Sequence, residues 1–326
     1  MRYAIQECRH GDAFSAPWLS LFPGRIAVLH WHLTGVANLK KPTGIDCGFE
    51  YQNLKHQFAE DDIQAYCDGT RKFFSTPTKA WTNELNTIWL IRHYLAVKYI
   101  IAASIMIASA DYADDRKLFI PTPYLIYYSI LNCCRAYLFT VPDFVWKGAA
   151  SVEMTHQNII NSTANYIRRI DRNAEKNWGD RIRLARDDRE LFSYRFPATG
   201  LRFWKDRDHV GVGEAIKICS VLSEMAQINS ECLEASLSKN AKGSYRFLPD
   251  NADVALAISY SDAQLDDEDY YRIGYFIRKS PTPHNLLVTA REGLVEDAFG
   301  AWLPQADLSE EDFDIDRHWR IIFPFM

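Results

Sequence analysis

"YLIYYSILNCCRAYLF", residues 124–139, decides how this chain is read. Laid on a helix, Tyr124, Tyr127, Tyr128, Leu131, Leu138 and Phe139 form one apolar stripe. Arg135 falls in the middle of that stripe rather than opposite it. A charge buried there needs a partner or a ligand, because an unpaired charge is costly to remove from water.

Upstream lies a second helix of the same character, expected over 79–110. Its stripe is Trp81, Leu85, Ile88, Trp89, Leu95, Ala96, Tyr99, Ala103 and Ile107, and Arg92 sits inside it. It ends in the apolar run "YIIAASIMIASA", 99–110, which is about half the length of a membrane span and follows Arg92, His93 and Lys98 closely. A buried core helix is the reading, with no membrane segment. "PTP" at 121–123 opens the helix that carries Arg135, since proline suits the first helical turn.

Further helices are expected over 50–74, over 155–186 with a break at Gly179, and over 213–238. Thr155 is the candidate N-cap of the second of these. "RIAVLHWHL", 25–33, and "DVALAISY", 253–260, have the β-formers of short strands, although the latter also fits a short helix. The expected class is mainly α: residues 1–48 an irregular N-terminal segment, 49–190 a helical bundle, and 191–326 a mixed, mostly helical C-terminal region.

Composition narrows function by exclusion. The chain has 326 residues, 48% hydrophobic and 24% charged, with net charge -5. No global basic excess marks it as a nucleic-acid binder. Locally, residues 165–195 carry nine Arg/Lys against six Asp/Glu. That stretch reads either as a solvated helix face or as a basic face for phosphate-bearing partners. The seven cysteines show no C-x-x-C pair and no zinc spacing, so they read as buried reduced thiols of a cytoplasmic protein. The "HWH" at 30–32 has no acidic or Cys partner close in sequence, and "GVG" at 211–213 lacks the glycine pattern and lysine of a phosphate loop. No metal and no cofactor is expected.

The order of segments matters next. "IRHYLAVKYIIAAS" is followed by a proline-marked break, then "YLIYYSILNCCRAYLF", then a short connector and "THQNII". This resembles the HEPN superfamily, in particular its YaaC-like branch, over roughly 80–170. In that family a helix of the form "YYxxFxAxRALL" precedes a loop and a histidine near the next helix start. The resemblance implies a helical bundle that dimerises. Its nuclease members carry an arginine, four to six residues, and a histidine on a helix. Here that spacing occurs at Arg25/His30, Arg25/His32, Arg202/His209 and Arg278/His284, all outside the resembling segment. What carries over is Arg135 on "RAYL" and His156 on "TH".

Each candidate has two readings. Arg135 either forms a buried ion pair with Glu84, Asp111 or Glu153, or holds a phosphate or carboxylate of a ligand. Arg92 has the same pair of readings, and the two arginines would share a cavity if their helices pack antiparallel. His93 is expected on the helix flank as a packed histidine. His156, near a helix start, is either a capping side chain or a neutral general base for a ribose 2′-hydroxyl. Arg135 and His156 are thus the candidate catalytic pair, and Arg92 and Arg135 the candidate anion-binding pair. The expected function is a HEPN-like regulatory or binding protein acting as a homodimer, with RNA, a nucleotide or another protein as partner. A metal-independent endoribonuclease of a toxin–antitoxin or antiviral defence system is the alternative, and a small-nucleotide sensor the third reading.

Overall fold

Proline and the apolar runs together place the central hairpin. In the computed structural model, which describes residues 49–248, 266–290, 294–303, 308–309 and 311–315, α3 spans Asn83–Asp115 and α4 spans Thr122–Thr140. Pro121 is the N-cap of α4, and Val141, in extended conformation, ends it before Pro142. The turn between them closes through Lys117 in the left-handed region (φ 61), with the Leu118 amide donating to the Ala113 carbonyl at 2.8 Å. The pair is antiparallel: Arg92 meets Phe139 and Val141, Tyr99 meets Phe139, and Met106 meets Asn132.

Before the hairpin lie α1 (Gln52–Gln57), α2 (Glu60–Ser75) and a 3-10 turn at Pro77–Ala80. After it come α5 (Ala149–Val152), α6 (His156–Ile167) and α7 (Ala174–Glu190), which runs into a turn of π-helix at Leu191–Arg195. Then follow α8 (Leu201–Lys205), α9 (Val212–Asn240), α10 (Asp267–Lys279), α11 (Leu286–Ala290) and α12 (Leu294–Gly300). The described residues are mostly helical and contain no strand. Both candidate strands, 25–33 and 253–260, lie outside them, as do residues 1–48.

Helix α3 passes the length and composition test for a bilayer span, but 72% of its apolar window is buried inside the protein. The neighbours that cover it are α4, α9 and α11, and α4 is covered in turn by α6, α7 and α9. A helix apolar on nearly every side is one that needs such cover. Burying a Leu, Ile or Phe side chain is worth roughly 1.5–3 kcal/mol each. Tyr127, Tyr137, Phe139, Ile91, Leu95 and Ile100 therefore make this hairpin the centre of the core.

Helix α9 is the polar counterweight. It is buried along its length yet carries Ser223, Glu224, Gln227, Asn229, Ser230 and Glu231 inside. These side chains receive the unpaired amides of other elements. Glu224 accepts from the Asn53 and Leu54 amides at 3.0 and 2.7 Å and so caps α1. Burial still raises the Glu224 carboxyl above its ordinary range, against those bonds. Gln227 and Ser230 accept from the Leu287 and Leu286 amides at the start of α11. Asn229 links Tyr66 of α2 to Thr140 of α4. In this way α9 ties α1, α2, α4 and α11 into one core with α3, although it comes from the segment read as a C-terminal region.

The single helix expected over 50–74 is two, parted at Phe58, whose extended backbone is followed by the acidic first turn Glu60, Asp61, Asp62. The helix expected over 155–186 breaks at 168–173, not at Gly179. Gly179 lies inside α7, and a Cβ there would stand 3.1 Å from the Ala164 Cβ of α6, so the glycine serves close helix–helix approach. Thr155 does cap α6, its hydroxyl accepting from the Asn158 amide at 3.3 Å. Cys67, Cys133, Cys134, Cys219 and Cys232 are buried free thiols.

Candidate functional site: an arginine-flanked histidine

The antiparallel hairpin does not bring Arg92 and Arg135 to a common partner. Arg92 is 3% exposed. Its Nε donates to the Phe139 carbonyl at 2.8 Å and an Nη donates to the Val141 carbonyl at 2.7 Å. These are carbonyls at the C-terminal end of α4, where the helix leaves acceptors unsatisfied and its dipole favours a cation. The guanidinium lies 3.7 Å from the Trp89 ring centroid. Burial pushes it down to about 9, which leaves it charged at neutral pH. So the expected carboxylate partner of Arg92 is replaced by a helix C-terminus and a tryptophan face. The side chain thus caps α4, which is the structural one of the two roles expected for it.

Arg135 is different. It is half-buried, with its guanidinium 5.4 Å from the Tyr99 ring centroid. Its Nε is buried and has no hydrogen-bond partner among the described residues. None of Glu84, Asp111 or Glu153 pairs with it, so the expected ion pair is not formed. Glu84 and Glu153 sit exposed at the start of α3 and the end of α5.

His156 is the first residue of α6, directly after the Thr155 cap. Its Nδ1 is hydrogen-bonded to the Tyr127 hydroxyl at 2.9 Å, and its ring stands edge-on to Tyr128 at 5.9 Å. Burial lowers its pKa below the ordinary value, and the positive charges of Arg135 and Arg189 lower it further. It is therefore neutral at pH 7. The structure thus brings Arg135 and His156 into one electrostatic neighbourhood, through Tyr127 and α7, and leaves Arg92 outside it.

Arg189, absent from the sequence reading as a site residue, completes the group. Its guanidinium lies 5.1 Å from the Tyr127 ring centroid, and its buried Nε also has no partner. A loose contact of 3.4 Å to the adjacent Glu190 is its ion pair. Nearby, Arg186 bonds to Gln157 of α6 and to Asp187. The signal for Arg189 was the basic excess of 165–195. Most of that excess is spent locally: Arg181 on Glu214 and Asp208, Arg183 on Asp180, Arg169 on Asp143 in a bidentate pair. Five arginines of the basic stretch, Arg169, Arg181, Arg183, Arg186 and Arg189, thus have acidic partners, and Arg189 has the loosest of them.

Chemically, the site offers two guanidinium groups with unused buried N–H donors, a neutral imidazole and a tyrosine whose hydroxyl is held protonated by burial. An anion is the ligand class that two guanidinium groups lacking a close carboxylate attract. Among the described residues no group of three or more His, Cys, Asp or Glu side chains has metal-binding geometry, and "HWH" lies outside them. The Arg-to-His spacings at 202/209 and 278/284 do not converge on this site: His209 packs on Trp204, and His284 binds Glu234. Comparison with protein-family models, curated proteins and solved structures returned no match to this chain.

Proposed function

We propose that the chain is a HEPN-like binding protein that holds a phosphate of RNA between Arg135 and Arg189. One observation carries this: Arg135 and Arg189 both act on one histidine, Arg135 with no carboxylate partner among the described residues and Arg189 with only its 3.4 Å contact to Glu190. Arginine presents a planar fork of donors that matches a phosphate bidentately. The order of helices, with Arg135 near the end of α4 and His156 opening α6 after a short connector, matches the segment order of the HEPN resemblance.

A second reading has its own support. A neutral His156 oriented by Tyr127 is what a general base for a 2′-hydroxyl requires, with the arginines stabilising charge on the phosphorus oxygens. On that reading the protein is a metal-independent endoribonuclease.

Homodimerisation belongs to the same proposal. Ile120, Phe196, Leu201 and Phe203 are exposed and line one apolar cleft beside the π-turn. The exposed Tyr194 of that turn reaches Arg189, its ring centroid 5.8 Å away. A second copy covering the cleft would therefore adjoin the arginine site. Light scattering of the wild type should give a dimer mass, and Phe203→Glu a monomer.

The function is tested by fluorescence anisotropy with a short single-stranded RNA in EDTA. Arg135→Ala together with Arg189→Ala is expected to weaken binding by about tenfold or more and to flatten its salt dependence. Equal binding by wild type and double variant defeats the proposal. Loss of the intact RNA with wild type, abolished by His156→Ala, selects the ribonuclease reading.

A further inference from the structure

Two concavities away from the arginine site differ in kind. The one between α3, α10 and α11 is mainly apolar, and His93, expected on the helix flank, is packed 1% exposed in its lining. The other lies where the end of α2, the 3-10 turn Pro77–Ala80 and the end of α9 meet, and its volume is about 490 Å3. Four cations line it: Arg71 and Lys72 of α2, Lys79 of the 3-10 turn and Lys239 of α9. No acidic side chain belongs to the lining.

Hydrogen bonds hold the wall between the two helices. The Asn240 Nδ2 donates to the Thr78 hydroxyl at 2.9 Å, and that hydroxyl donates to the Phe74 carbonyl at 2.7 Å. Thr78 is fully buried. The backbones that carry Lys79 and Lys239 are therefore fixed against each other. Arg71 is tied to Asp68 at 3.2 Å, outside the lining. Lys72, Lys79 and Lys239 are exposed, and among the described residues none of them has an ion pair.

A lysine in the last turn of a helix offsets the helix dipole, and this explains Lys72 and Lys239 one at a time. It does not explain why unpaired ammonium groups from three elements line the same hollow, since like charges brought together repel. We propose that this concavity binds a polyphosphate chain, either free or as the tail of a nucleoside triphosphate. An ammonium is a point charge that takes no bidentate geometry from a phosphate, so several lysines select for the number of negative charges. Linked phosphates carry those charges along a chain that meets ammonium groups on all three elements, whereas one inorganic phosphate offers them at a single point. The volume of about 490 Å3 falls in the range of roughly 300–1,000 Å3 usual for small-ligand pockets, which favours a small anion over a nucleic-acid strand. The site shares no residue with the one around Arg135 and Arg189.

Calorimetric titration of the full chain with inorganic triphosphate in EDTA tests the proposal, with ATP as a second titrant. Wild type is expected to bind one equivalent of triphosphate saturably. Lys79→Gln together with Lys239→Gln removes two charged contacts and should weaken binding by about tenfold or more. Both lysines are exposed, so the circular dichroism of this variant should match wild type. Lys55→Gln together with Lys176→Gln removes the same charge elsewhere on the surface and should change Kd by less than about twofold, because distant exposed charges are screened. Arg135→Ala together with Arg189→Ala should also leave triphosphate binding in place, which separates this site from the RNA reading. Tighter binding of ATP than of triphosphate names a nucleotide as the ligand, and equal or weaker binding names a free polyphosphate chain. Three results overturn the proposal: no saturable binding of either titrant, equal affinity of wild type and the Lys79/Lys239 variant, or the same loss in the Lys55/Lys176 variant.

Discussion

Arg92 and Arg135 occupy equivalent places in the sequence, each inside the apolar stripe of one arm of the same hairpin, and the fold treats them in opposite ways. Arg92 delivers its donors to two carbonyls at the end of α4 and stacks on Trp89. Arg135, one turn back along α4 from Phe139, keeps its Nε without an acceptor beside a histidine. The lesson is that a buried cation says nothing about ligands until its donors are accounted for. A helix C-terminus can take up an arginine's donors where no carboxylate is present. An arginine with donors left over is the one worth testing.

The sharpest way to break the comparison is Arg92→Leu. It strands the Phe139 and Val141 carbonyls in the core and removes the Trp89 contact. An unsatisfied buried polar group costs about 1–3 kcal/mol, so the pair should lower stability by roughly 3–5 kcal/mol in urea unfolding. Arg92→Lys keeps the charge at the helix terminus but not the fork, and a loss of about 1–2 kcal/mol is expected. If both variants unfold at the wild-type midpoint, Arg92 is no cap, and the contrast between the two arginines disappears.

The next effect is set by pH, one residue along α3. His93 has a folded pKa of about 4 against roughly 6.5 in the unfolded chain. Between those values the unfolded chain binds a proton that the folded chain refuses. Stability from this group is therefore complete above about pH 6.5 and is lost as pH falls toward 4, by about 3 kcal/mol in all. His93→Gln should flatten that part of the stability–pH curve. A nitrogen-15 titration in which His93 protonates near its ordinary pKa would show that its burial has been misjudged.

How legible all this was in the sequence depends on the range of the interaction. The hairpin could be read because proline and unbroken apolar runs are local, and so could the Thr155 cap, which acts over three residues. That Arg92 and Arg135 were misplaced was also plain from their stripes. Their partners were not, since Phe139 and Val141 offer backbone carbonyls, which no side-chain pattern announces. Gly179 misled for a related reason: a glycine that breaks a helix and one that admits Ala164 look alike in sequence. Arg189 was hidden in a basic run in which Arg169, Arg181, Arg183 and Arg186 take acidic partners, and only the packing of α6 and α7 on α4 separates it from them.

Arg135→Leu carries the smallest expected change and tests the comparison most directly. Leucine suits the apolar stripe of α4, and the substitution strands no carboxylate, because none pairs with Arg135 among the described residues. It removes a cation near the Tyr99 face, worth about 0.5–1 kcal/mol, and relieves a buried N–H that lacks an acceptor. It also lessens the like-charge pressure that Arg135 and Arg189 exert together on His156. These contributions oppose one another, so stability without ligand should stay within about 1 kcal/mol of wild type. The difference should emerge on adding an anion. A ligand that binds only the folded state raises its stability in proportion to the logarithm of its concentration over Kd. Inorganic phosphate, titrated during thermal unfolding at constant ionic strength, should therefore raise the Tm of wild type and leave that of Arg135→Leu unmoved. A variant that loses more than about 2 kcal/mol without phosphate would place Arg135 with Arg92, as part of the framework, and would leave the site to Arg189 and His156 alone.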